Sequence, residues 1–142
     1  MPVFSNSEQF YECVGELMDR AKRDPVVGPK IAKSNIIIQF RYSDPDAVTT
    51  VNAKDKPSQE GAYVDVIQGE NDLIADVVMS MKADVAHRFW LGRVNLVSAL
   101  AKGDIIVSGP IPKILKLLPG IKPLYKAYPS LLHEKGYDEL IG

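Results

Sequence analysis

The chain has 142 residues, 46% of them hydrophobic and 25% charged, a length and composition suited to one domain that buries roughly two thirds of its unfolded surface. Its 17 Lys+Arg nearly balance 18 Asp+Glu, so there is no overall basic excess of the kind that marks nucleic-acid binding. The single cysteine, Cys13, excludes an internal disulfide framework and fits a reducing compartment.

The first residues, MPVFSNSEQF, lack the basic start and apolar run of a secretory signal, and the last are not a peroxisomal Ser-Lys-Leu. No apolar stretch approaches the ~18 residues that span a bilayer. A soluble, cytoplasmic protein is expected.

In chain order, Ser7 is expected to cap a helix whose Phe10, Val14, Leu17, Met18 and Ala21 form a buried stripe, with Cys13 on its edge, ending at Asp24-Pro25. A short helix is expected around Pro29 to Lys33. The period then changes to two: Ile36, Ile38, Phe40 and Tyr42 alternate with Ile37, Gln39 and Arg41, as in a strand buried mainly on one face. Ser43-Asp44-Pro45-Asp46 supplies a turn, and Ala47 to Asn52 the strand paired across it. Lys54 to Gly61 reads as a polar loop. A third strand carries Ala62, Val64 and Val66, Gly69 to Asp72 a second turn, and a fourth strand points Ala75, Val77, Met79 and Met81 one way. Such short connections predict an antiparallel meander.

Helical patterning returns at Ala83 to Leu91 and at Asn95 to Ala101, and Lys102-Gly103-Asp104 turns into a short strand, Ile105 to Ser108. The stretch IPKILKLLPGIKPLY follows Gly109-Pro110. Read as a helix from Pro112, it places Ile111, Ile114, Leu115 and Leu118 on one face, widened by Leu117, with Lys113 and Lys116 outside. Pro119-Gly120 is expected to stop that helix, after which Ile121, Leu124 and Tyr125 resume the apolar character. The fold class is therefore α+β, a five-stranded, mainly antiparallel sheet with helices on one face.

Charge is unevenly spread. Arg41 to Asp76 holds eight acids against three basic residues, whereas Ile111 to Lys126 holds four lysines and no acid. Lys113, Lys116, Lys122 and Lys126 fit either a solvated face or an attraction to anionic membranes or coenzyme A phosphates.

Chemical signatures are sparse. His87 and His133 lie far apart in sequence without a carboxylate or thiol at metal-ligand spacing, so no metal is expected. Asp84 suits the first turn of a helix. GxSxG, a phosphate-binding glycine loop and paired catalytic carboxylates are all missing, so neither an enzyme nor a cofactor is expected.

The stretch MKADVAHRFWLGRVNLVSALAKGDIIVSG resembles the sterol carrier protein 2 family, in which an acidic helix start leads through glycine and asparagine to a short helix, an Ala-x-x-x-Gly turn and an apolar strand closed by glycine. The matching residues are Asp84, Gly92, Asn95, Ala99 to Gly103, Ile105 to Val107 and Gly109. A weaker likeness covers the first helix, Asp24-Pro25 and the strands from Ile36 to Met81. The chain departs from the family at Pro110-Ile111-Pro112 and in a longer C-terminus with Pro119, Pro123 and Pro129.

The resemblance implies an apolar tunnel for sterols, fatty acids or fatty acyl-CoA, walled in part by the C-terminal helix. Its expected lining is Met79, Met81, Phe89, Trp90, Leu96, Leu100, Ile105, Val107, Ile114, Leu117, Leu118, Ile121, Leu124 and Tyr125, several of which fit ordinary core equally well. Filling the tunnel by Leu100→Trp or Ile114→Trp is expected to weaken lipid binding.

The function expected is a noncatalytic lipid carrier with transient membrane-surface contact. The alternative is an interaction module or accessory subunit that docks onto a partner enzyme of lipid or steroid metabolism through an exposed Ile121, Leu124, Tyr125 and Tyr128. A third option, an enzyme, would have to use His87, His133 and Asp84.

Overall fold

The computed structural model describes residues 2–142. Its first helical body comprises α1 (Ser7–Phe10), a π turn (Tyr11–Gly15) and α2 (Glu16–Ala21), followed by α3 (Val27–Ala32). Asn6, not Ser7, caps α1, its side-chain oxygen accepting from the Gln9 amide at 2.9 Å. The widened turn leaves the Gly15 carbonyl free for the Gln68 side-chain amide at 2.9 Å, which fastens the helix to the sheet.

Five strands follow: β1 (Ile37–Ser43), β2 (Ala47–Asn52), β3 (Asp65–Gln68), β4 (Val77–Lys82) and, after α4 (Ala83–Trp90) and α5 (Leu96–Lys102), β5 (Ile105–Ser108). The sheet order is β3-β2-β1-β4-β5. β1 pairs antiparallel with β2, Ile38 opposite Val51 and Phe40 opposite Thr49, and β4 pairs antiparallel with β5.

The expected meander is corrected at β4, which lies beside β1 and parallel to it, Phe40 opposite Met79 and Tyr42 opposite Met81. Gly69 to Asp72 is not a hairpin turn, because the connection crosses the sheet's outer face. There Glu70 pairs with Arg41 at 2.7 Å, and the Asn71 amide donates to Thr50 Oγ1 at 2.9 Å. Asp76 ends the crossing by accepting from the Ile37 amide at 2.9 Å. A parallel neighbour requires such a crossover.

The C-terminal stretch also differs from expectation. It forms α6 (Ile111–Leu115), α7 (Leu118–Ile121) and α8 (Leu124–Glu134), with a short 3-10 turn at Asp138–Leu140. Pro119-Gly120 does not stop a helix. The break falls at Lys116-Leu117, and Pro119 sits in the first turn of α7, where the missing amide hydrogen would have had no partner. Gly120 serves through its size: a Cβ there would stand 2.9 Å from Cβ of Lys30, so α7 lies directly on α3.

The helices cover the face of the sheet that presents Ile38, Phe40 and Tyr42. Beneath them the core divides in two. One cluster joins Phe10, Leu17, Val51, Trp90, Tyr128 and Leu132; the other joins Ile38, Val77, Met79, Leu96, Ile105 and Ile114. Phe40, Met81 and Phe89 pack against both and are only partly buried, although they lie on the covered face. Their residual exposure faces a space between the helices and the sheet.

Candidate functional site: an apolar cavity between two core clusters

The floor of this space is the sheet. β1 contributes Ile38, Phe40 and Tyr42, β2 contributes Val51, β4 contributes Met79 and Met81, and β5 contributes Ile105. Alternation sends these side chains to the same face, and the parallel β1–β4 register sets Phe40 and Tyr42 beside the two methionines. Over them lie Ala86, Phe89 and Trp90 of α4, Leu96 of α5, Ile114 of α6, and Leu117, Leu118, Ile121 and Leu124 from the α7–α8 segment. Met18 and Ile31 complete the wall. About 80 Å³ of the cavity is open to the centre of a water molecule.

The chemistry of the wall is nearly uniform. Only the Tyr42 hydroxyl and the Trp90 indole N–H are side-chain hydrogen-bonding groups, and no lining residue is an acid or a base. Burial pushes the Tyr42 hydroxyl up from its ordinary pKa, so it stays neutral. Such a surface binds by apolar burial and has at most two polar handles.

Of the residues named from sequence, Met79, Met81, Phe89, Trp90, Leu96, Ile105, Ile114, Leu117, Leu118, Ile121 and Leu124 line the cavity. Leu100, Val107 and Tyr125 do not. Leu100 and Val107 are half-buried and pack against the second cluster without lining the cavity. Tyr125 stands behind the wall, its ring edge-on to Phe89 with centroids 5.7 Å apart.

Sequence reasoning missed Met18, Ile31, Ile38, Phe40, Tyr42, Val51 and Ala86 as lining. The alternation of β1 had already put Ile38, Phe40 and Tyr42 on one face. A meander, however, would have separated them from Met79 and Met81, and the link to the cavity was lost with it.

The polar candidates are engaged elsewhere. His87 Nε2 lies 2.7 Å from the Leu140 carbonyl, which can only accept, so this nitrogen carries the hydrogen; Nδ1, also at 2.7 Å, accepts from the Tyr128 hydroxyl. Burial lowers the His87 pKa, and the ring is neutral. Asp84 accepts from the Val3 amide at 2.9 Å, and exposed His133 pairs with Asp138 at 2.6 Å. Neither histidine nor Asp84 reaches the cavity wall. Cys13 is fully buried, and desolvation raises its thiol to about 11, far from a reactive thiolate. Among the described residues no cluster of His, Cys, Asp and Glu is placed to hold a metal ion, and no helix is long and apolar enough to cross a membrane.

No protein-family model matches the sequence, and no curated protein matches it significantly. Solved structures do match. The apo form of sterol carrier protein 2 from Yarrowia lipolytica aligns with a TM-score of 0.58 at 18% identity, over 81% of this chain and 88% of that one. The sterol carrier protein domain 2 of Helicoverpa armigera gives 0.57 at 19% identity, over 80% and 88%. Palmitated SCP2L2 from Aedes aegypti gives 0.53 at 20%, over 78% and 95%. The order of strands, the helix-covered face and these alignments agree: the chain is a sterol carrier protein 2-like domain in its fold.

Proposed function

We propose that this domain is a noncatalytic carrier that shields a long acyl chain or a comparable apolar body from water. The observation that supports this most is the cavity, whose wall is apolar throughout except for Tyr42 and Trp90. Burial at about 25 cal/mol per Å² of apolar area yields useful affinity with few hydrogen bonds. The palmitated Aedes protein shares the fold, and its acyl group is the chemistry such a wall favours.

A water-sized site needs roughly 10–15 Å³ by the same measure. The 80 Å³ here is therefore narrow for a whole lipid, and loading requires part of the wall to move outward. The α6–α7 segment suits that role because it consists of two short helices, whereas the floor is a hydrogen-bonded sheet.

The docking alternative needs Ile121, Leu124, Tyr125 and Tyr128 on the surface. Leu124 and Tyr128 are 3% and 0% exposed and Ile121 and Tyr125 are only partly exposed, which favours the carrier. Native mass spectrometry of protein purified without detergent, followed by organic extraction, tests the proposal. A retained lipid at one per chain is expected; an unliganded mass that persists after incubation with fatty acids, fatty acyl-CoA and sterols would overturn it.

A further inference from the structure

Beside the cavity runs a groove with about 470 Å³ open to water, lined by Lys30 and Lys33 from the α3 segment and by Lys113 and Lys116 from the α6 segment, with no acid among its lining residues. None of these ammonium groups forms an ion pair among the described residues. The carboxylate that Lys113 influences is Asp76, which already accepts from the Ile37 amide and from Lys54 at 3.1 Å. The sequence brings the lysines from two distant segments, and Gly120 lets α7, which follows the second of them, lie directly against Lys30 of the first.

Ile31, Leu117 and Ile121 line both the groove and the cavity. The partition between four positive charges and an apolar interior is thus one layer of side chains. From this juxtaposition we infer that the groove holds the anionic head, of phosphate type, of an amphiphile whose tail lies in the cavity. The inference rests on the carrier reading and narrows its ligand to an anionic class. Four lysines along one groove carry more positive charge than a single carboxylate balances. They suit the several oxygens and higher charge of a phosphate, for which lysine acts as a point-charge partner.

Dodecyl phosphate and dodecanol share one tail and differ in the head, so their affinities separate the two readings. Wild-type protein is expected to bind the phosphate about tenfold tighter, a preference that shrinks as salt rises. In the double variant Lys33→Gln/Lys116→Gln the preference should collapse while dodecanol affinity is unchanged; both positions are exposed, so the fold is retained and circular dichroism verifies it. Equal affinity of the wild type for the two probes, or a preference that survives the double substitution, overturns the head-group assignment and leaves the carrier intact. Failure of both probes to bind overturns the carrier reading as well. Phosphatidylserine-rich vesicles supply the remaining comparison: loss of vesicle binding in the variant with its dodecyl phosphate preference intact would assign the groove to a bilayer surface instead.

Discussion

The Tyr128 hydroxyl donates to Nδ1 of His87 across 2.7 Å, joining α8 to α4 with both side chains removed from solvent. The other ring nitrogen holds the Leu140 carbonyl, so one neutral imidazole ties the last turn of the chain to the helix that roofs the cavity. Protonation turns Nδ1 into a donor, so the Tyr128 hydroxyl must turn to accept and its own hydrogen loses its partner.

A pH dependence with a definite sign follows. The unfolded histidine takes its proton near 6.5, and the folded one only at lower pH because burial disfavours the charge. Full stability is present above that ordinary value and is lost as pH falls through the folded value. His133 acts in the opposite direction: Asp138 raises its pKa, so its contribution is present below 6.5 and fades as pH rises. That pair is exposed and screened, and His87 should dominate. Melting temperature should fall between about pH 7.5 and about pH 5.5; a flat profile would rule out the neutral, buried His87. Tyr128→Phe should cost about 1–3 kcal/mol at neutral pH by leaving Nδ1 without a partner.

Two tryptophan substitutions distinguish the cavity from its surroundings. Ile114 is part of the wall and Leu100 is not. Ile114→Trp should lower the affinity for a fatty acid at least tenfold, about 1.4 kcal/mol, by occupying the space its tail needs. Leu100→Trp should leave affinity unchanged, although sequence alone treated the two positions alike. Fluorescence displacement titrations on both variants decide the point, and equal losses would mean that Leu100 borders the bound ligand as closely as Ile114 does.

The glycines of the family-like motif differ in what they tolerate. Gly109 has φ +123°, and a Cβ there would stand 2.5 Å from the Asp76 carbonyl oxygen, at the end of the crossover that brings β4 to β1. Gly103 has φ +80° with open space around it. Gly109→Ala should destabilise by about 2–4 kcal/mol and Gly103→Ala by about 1–2 kcal/mol. Urea unfolding of both variants measures the difference, and similar midpoints would show that the close approach of Gly109 to β4 does not matter.

Cys13 should resist alkylation. Its thiol is raised to about 11 and the side chain is fully buried. Iodoacetamide at mildly alkaline pH should modify native protein only at the rate of transient opening, and at least a hundredfold faster in denaturant. Rapid labelling of the native chain would place Cys13 on the surface.

Much of this architecture was legible in the sequence because period and turn chemistry are local. The alternation from Ile36 to Tyr42 produced β1, Asn95 was found at the head of a helix, and Gly103 and Gly109 marked the ends around β5. Two features escaped for the same reason: each depends on something distant. Gly69 to Asp72 has the composition of a hairpin turn, and only Arg41 and Thr50 on the outer face reveal that it begins a crossover. Pro119-Gly120 looks like a terminator until Lys30 is seen lying against it. Candidate lining residues were found where apolar character was dense, and missed on β1, where the decisive fact was which strand lay alongside.

Phe40, Met81 and Phe89 touch both halves of the divided core. A molecule seated among them completes the hydrophobic interior of the protein itself and adds its buried area to the folding free energy of both halves. Resistance to unfolding then becomes a gauge of cargo: at a free ligand concentration a hundred times its dissociation constant, the loaded domain gains about 2.7 kcal/mol over the same chain without it. On the proposed carrier reading, the folded fraction of the chain rises and falls with the supply of its ligand.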